Sequence, residues 1–225
     1  VVGSDFWVGR EWVRVEFQGG SAAERAYLYL RDAILEGRVA KGEMLGEATV
    51  AAEIGVSRTP VRAALVRLQE EQWITIYPKR GALVNGLADD AVADLIDARF
   101  VLESAAVQRV GVEGLQDLTR RLREQIRDQR RALESEDRRR FIELTTGFHH
   151  AFVAASGNSV LVELSERLED RQRYSLFLLG ERLLDRCREI IDEHEQLVEA
   201  LEDQDPARFT ETLRRHINDV HSKPQ

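Results

Sequence analysis

Within residues 55–84, GVSRTPVRAALVRLQEEQWITIYPKRGALV, the apolar period switches from that of a helix to that of a strand. Val61, Leu65 and Leu68 recur at i, i+4 and i+7. WITIY and ALVNG then alternate on either side of PKRG, the pattern of a hairpin with a basic tip. The boundaries carry their own signals. Gly55 permits the left-handed backbone that ends a preceding helix, Ser57 is an N-cap type, and Pro60 falls in the first turn, where a missing N–H costs little. A helix closed at both ends and followed at once by a hairpin admits few folds.

The segments upstream narrow the choice. SAAERAYLYLRDAILEG reads as a helix opened by a Ser21/Glu24 capping box, with Ala26, Tyr27, Leu30 and Ile34 on one stripe, and GEATVAAEIGV as a short second helix. Helix, short helix, helix and hairpin is the order of a winged helix-turn-helix. After Gly86 the pattern becomes helical throughout. Breaks near Gly111–Gly114, Glu134–Asp137, Gly157–Asn158, Gly180 and Gln204–Pro206 divide residues 89–222 into about six helices, an all-α bundle. The expected fold is mainly α, with a winged helix over 21–86 and a helical domain over 87–225. Residues 1–20 are a leader or an extra strand, WVRVEF alternating and a Gly pair closing it; the pattern leaves both open.

The net charge of −8 seems to argue against a nucleic-acid partner, but its distribution does not. Residues 21–86 carry nine Lys/Arg against eight Asp/Glu, whereas 87–225 carry 21 against 29. In the first part, Arg58 and Arg62 project together from the first turns of the third helix, opposite its apolar stripe. Ser57 and Thr59 add hydroxyls, and Lys79 and Arg80 form the hairpin tip. That set suits phosphate contacts and groove reading in duplex DNA; winged helices also serve as protein-binding modules. The charged run DLTRRLREQIRDQRRALESEDRRR reads instead as a solvated helix face, with Leu118, Leu122, Ile126 and Leu133 inward. No run reaches the ~18–20 apolar residues that span a bilayer, and no signal peptide pattern appears. Cys187 stands alone, so no intramolecular disulfide forms, and a cytoplasmic location is expected with Cys187 as a packing residue.

All five His lie in the helical part. His149 shares a face with Ile142, Thr145, Phe152 and Val153; His194 with Ile190, Ile191, Leu197, Val198 and Leu201; His216 with Phe209, Leu213 and Val220. His150 and His221 fall off these faces. Three inward imidazoles on three helices are either satisfied core residues or ligands that share a divalent ion.

GVSRTPVRAALVRLQEEQWITIYPKRGALV, with LRDAILEGRVAKGEML upstream, resembles the signature of the GntR family of bacterial transcription regulators. The resemblance implies that Ser57, Arg58, Thr59 and Arg62, with Lys79, Arg80 and Gly81 from the wing, contact DNA. Ala63 and Gln72 depart from the family's usual Glu and Gly, and Ala48 stands where some members carry a basic contact. FHHAFVAASGN, EHEQLVEALEDQDP and LRRHI resemble the FCD ligand-binding domain of the family's FadR-type branch. It implies a divalent metal (zinc, nickel or manganese) at His149, His194 and His216, completed in metal-containing members by an Asp that is Thr145 here.

The same resemblance implies an effector, a small carboxylate, contacting Arg99, Thr145, His149, His194 and His216. In its Arg-x-x-x-Glu pattern with Glu103, Arg99 either grips that carboxylate or forms an ordinary i, i+4 ion pair. The function implied is a ligand-responsive, homodimeric regulator, commonly a repressor, that binds double-stranded operator DNA and is neither an enzyme nor a membrane protein. A metal-dependent enzyme or a metal sensor built on the same three His is the alternative.

Overall fold

The computed structural model describes residues 20–88 and 91–221. The expectation for the leader therefore lies outside the described residues, Gly20 apart. The chain divides into two compact units, one of residues up to 32 with 44–83, the other of 33–43 with 84 onward. The fold is mainly α, as expected.

The first unit contains most of α1 (Ala22–Leu35), then β1 (Met44–Leu45), α2 (Glu47–Ile54), α3 (Arg58–Glu70), β2 (Ile74–Tyr77) and β3 (Gly81–Val84). The Ser21 hydroxyl accepts the Glu24 N–H at 3.1 Å, as the capping box requires. Gly55 caps α2 in the left-handed region at φ 67°, ψ 36°. Ser57 holds the N-cap position of α3, although its side chain makes no capping bond. Val61, Leu65 and Leu68 are buried with Leu30, Trp73 and Ile74, which fixes the outward phase of α3.

The two-residue β1 was not foreseen, being too short to show alternation. It pairs antiparallel with β3, Met44 opposite Leu83 and Leu45 opposite Ala82, giving the sheet order β1-β3-β2. Gly81 has a fold reason of its own. At φ 114°, a Cβ there would stand 2.5 Å from the Leu45 carbonyl oxygen, so only glycine lets the wing pass that strand.

The second unit is the helical bundle: α4 (Ala91–Val107), α5 (Val112–Glu134), α6 (Arg138–Ala154), α7 (Ser159–Leu178), α8 (Glu181–Glu202) and α9 (Pro206–His221). Asp137 caps α6 through the Arg140 N–H, and Asn158 caps α7 through those of Val160 and Leu161. Leu118, Leu122 and Ile126 are buried in the core; Leu133 is only half-buried, and Ala132 takes the inward position beside it. Cys187 is buried, donates to the Leu183 carbonyl and has its thiol pushed up to about 11 by burial, as befits a packing residue. Among the described residues no helix is long and apolar enough to cross a membrane.

Candidate functional site

The first candidate surface is the outward face of α3 with the wing. Ser57, Arg58, Thr59 and Arg62 are all exposed, as are Lys79 and Arg80 at the hairpin tip. Their placement comes from the buried face of α3 and from the turn, where the Arg80 N–H bonds the Tyr77 carbonyl and Lys79 takes φ 64°. Arg62 has a partner that periodicity did not reveal. Glu47, the first residue of α2, receives its guanidinium in a bidentate pair, Nε to Oε1 at 3.1 Å and Nη2 to Oε2 at 2.8 Å. This pairing holds the Glu47 carboxyl below its usual range.

The second candidate site lies inside the helical unit. α6, α8 and α9 bring His149, His194 and His216 together, each at most 2% exposed, with ring centroids 4.9–5.3 Å apart. One ligand atom from each lies within 4.8 Å of the others. The sequence reading that joined these three is therefore met in space. His150 is excluded from the cluster, as expected; its Nδ1 bonds the Ser165 hydroxyl at 3.1 Å.

Every imidazole of the three is held from behind. His149 Nδ1 meets Glu103 Oε2 at 2.7 Å, His216 Nδ1 meets Glu193 Oε2 at 2.6 Å, and His194 Nδ1 meets Gln129 Oε1 at 2.8 Å. The Gln129 amide donates to the Leu144 carbonyl, which leaves its oxygen as the acceptor for His194. With the two carboxylates ionised, all three Nδ1 atoms carry the hydrogen, and all three Nε2 atoms present lone pairs to one centre. His149 Nε2 and His216 Nε2 are only 3.0 Å apart. Two facing lone pairs at that distance repel unless a cation lies between them.

Protonation favours the same reading. Burial, then Arg99 and His216, drives the His149 pKa well below the usual value; burial, then His216 and His149, does the same to His194. Both imidazoles are neutral at pH 7, the state that binds metal. The His194 Nε2 and the Thr145 Oγ1 atoms are buried and have no hydrogen-bond partner among the described residues. Such atoms are costly to leave unpaired in a core. The donor set therefore fits a divalent ion.

Arg99 and Glu103 are both 4% exposed and form the i, i+4 ion pair that their spacing allows. It joins Arg99 Nε to Glu103 Oε1 at 2.9 Å, buried and behind His149. Burial raises the Glu103 carboxyl, and Arg99 opposes that shift. One guanidinium nitrogen of Arg99, Nη2, is buried without a partner among the described residues. Sequence reasoning missed Gln129 and Glu193. Gln129 could have been found as a polar residue on the apolar stripe of α5. Glu193, next to His194 in a charged run, carried no such signal.

A winged helix and a helical bundle with a buried imidazole centre define the class of two-part transcription regulators. The chain matches the model described as "Bacterial regulatory proteins, gntR family" over residues 22–84 and the FCD domain over 94–219. It belongs to the GntR family of bacterial regulatory proteins, in the group carrying an FCD domain. It is 28% identical over 207 residues to the gluconate operon transcriptional repressor of Bacillus subtilis, covering 90% of this chain and 85% of that one. It is 26% identical to the transcriptional repressor RspR of Escherichia coli over 200 residues, covering 88% and 86%. The solved structure of McbR/YncC of E. coli superposes with a TM-score of 0.75 at 25% identity, covering 89% of this chain and 95% of that one. These matches are to transcription regulators, in keeping with the expectation that the chain is not an enzyme.

Proposed function

We propose that this regulator is a homodimeric repressor that releases operator DNA when a small carboxylate binds at the three-His centre. The observation that carries this reading is the convergence of three inward-facing Nε2 atoms beside Thr145 Oγ1 and Arg99 Nη2, neither of which has a partner among the described residues. His149, His194 and His216 would hold a divalent ion, zinc, nickel or manganese, and such an ion when bound supplies charge for gripping a carboxylate. Thr145 offers a hydroxyl at the position where the family resemblance implies an anionic ligand. Glu103 and Glu193, bonded to the outer nitrogens of His149 and His216, supply negative charge one step further out. Arg99 then orients the effector carboxylate with the nitrogen that Glu103 does not occupy.

At the other end of the chain, Arg58 and Arg62 read the major groove, Ser57 and Thr59 bond phosphates, and Lys79, Arg80 and Gly81 of the wing approach the flanking backbone. Two heads related by the dimer axis match a palindromic operator. The effector acts by binding one arrangement of the dimer better than the other. Repression is supported by the relatives named as repressors. Action on a bacterial chromosome puts the protein in the cytoplasm.

The test is elemental analysis of the purified protein with operator affinity measured on the same sample. About one divalent ion per chain, absent from His149→Ala, is the expected result. Chelation that abolishes carboxylate response while leaving operator binding intact supports the ion as part of the effector site. Chelation that itself changes operator affinity supports a metal sensor. No ion after incubation with zinc, nickel or manganese overturns the metal.

A further inference from the structure

Turn geometry places Lys79 and Arg80 within the hairpin, but the hairpin itself has to be held against α3. Sheet pairing does only part of this. In the order β1-β3-β2, β3 lies between two strands, whereas β2 has β3 on one side and, among the described residues, no strand on the other. Backbone N–H groups on that outer edge take their acceptors from water or from another element. One of them finds its acceptor on α3: the Ile76 N–H donates to the Gln69 side-chain oxygen at 2.8 Å. Only an oxygen can accept there, so the contact fixes the orientation of the amide and is one that a carboxylate could also make. The backbone carbonyl of the same residue accepts the Gln72 N–H at 2.9 Å, closing the turn that leads into β2. Gln69 therefore grips the chain on both sides of that turn. It is exposed and stands seven residues after Arg62, about two helical turns along the same outward face.

Taking the wing as a DNA contact, as above, we propose that Gln69 is a positioning residue that docks the wing on α3. It acts on the backbone of β2 and leaves the side chains at the hairpin tip free. α3 and the wing can hold one duplex together only at a fixed separation. A wing that has to be ordered during binding loses part of its contact energy to that ordering. The clamp removes this loss beforehand. One hydrogen bond between exposed groups sets the scale, about three- to tenfold in affinity.

The experiment uses the full chain and a labelled duplex that the parent protein has selected from a random-sequence library. Fluorescence anisotropy over a range of salt compares Gln69→Leu and Gln69→Glu, each with and without the Lys79→Ala/Arg80→Ala pair. Removing Lys79 and Arg80 should lower the salt slope by about two. Gln69→Leu should weaken binding about three- to tenfold when the wing is intact, and by less than about twofold when Lys79 and Arg80 are gone. Gln69→Glu keeps the acceptor, so any cost of its added charge should be equal in the two backgrounds. Hydrogen exchange at the Ile76 amide reads the clamp without DNA. It should quicken at least about fivefold in Gln69→Leu and stay slow in Gln69→Glu. Melting curves establish that the variants fold. An equal loss for Gln69→Leu in both backgrounds would make Gln69 a DNA contact or a support of α3, and no loss in either would make the bond dispensable. Either result overturns the positioning role alone. If removing Lys79 and Arg80 changes neither affinity nor salt slope, the wing reading falls and takes the positioning role with it.

Discussion

The two candidate sites place their side chains by opposite means. In the helical unit, each imidazole is fixed by a side-chain partner from a different helix or turn: Glu103, Gln129 or Glu193. In the winged-helix unit, the exposed Arg58, Lys79 and Arg80 owe their positions to helix phase and turn geometry, while Arg62 on that face is paired with Glu47. Burial accounts for the difference. An unpaired polar group in a core is costly, so the few that remain stand out, whereas a group in water is already solvated and stays free to choose its partner. A buried centre is thus legible from its orphans, and an exposed surface from its backbone.

The largest expected effect tests the exposed side of this contrast. If Arg58 and Arg62 read DNA, replacing both with Ala should lower operator affinity by at least ~100-fold, since each good base contact contributes about 1–3 kcal/mol of discrimination. Fluorescence anisotropy with a labelled operator measures it, and circular dichroism should be unaltered because neither residue belongs to the core. Unchanged affinity would move DNA reading away from the first turns of α3.

On the buried side, Glu193→Leu and Gln129→Leu remove the hydrogen-bond partner of His216 or of His194 without touching a candidate ligand. Each should weaken metal binding by about 10–100-fold while leaving one site per chain at saturating ion. Competition with a chromogenic chelator reads the shift. Equal affinity in the variants and the parent would mean that the imidazoles are positioned by packing, like the residues of the head, and the contrast between the two sites would fail.

Glu47→Gln asks how far the exposed face is restrained. The bidentate pair competes with any contact Arg62 makes to DNA. Its removal should tighten binding to non-specific duplex by about two- to fivefold and increase the salt dependence. Weaker operator binding would show the reverse, that Glu47 orients Arg62 for reading.

Much of this was readable from periodicity. The inward phases of His149, His194 and His216 follow from their neighbours on α6, α8 and α9, and the hairpin from alternation around PKRG. What lay hidden depends on groups far apart in the chain. Glu193 bonds His216 rather than its neighbour His194, and Glu47 reaches Arg62 across the turn between α2 and α3. β1 was illegible for a different reason: two residues cannot show a period, and its existence is fixed by the β3 partner. The Arg99–Glu103 spacing was visible, but spacing alone does not report that the pair is buried.

The smallest predicted effect bears on how strictly backbone geometry sets the head. α3 ends in a paired turn in which the Gln72 N–H bonds the Gln69 carbonyl and the Trp73 N–H bonds that of Leu68, both at 2.9 Å. This turn aims the chain into β2 and buries Trp73 beside Ile74. It requires Gln72 at φ 70°, a left-handed conformation that costs a side-chain-bearing residue about 1–2 kcal/mol. Glycine removes that strain but adds about 0.4–1 kcal/mol of unfolded-state entropy. These two backbone effects together favour Gln72→Gly by about 0.5 kcal/mol, read as a small rise in the urea midpoint of the winged-helix unit. Operator affinity should not change, because the turn keeps its hydrogen bonds and α3 its phase. A loss of stability would show that the Gln72 side chain contributes more than its strain costs, and that side-chain partners help place the head after all.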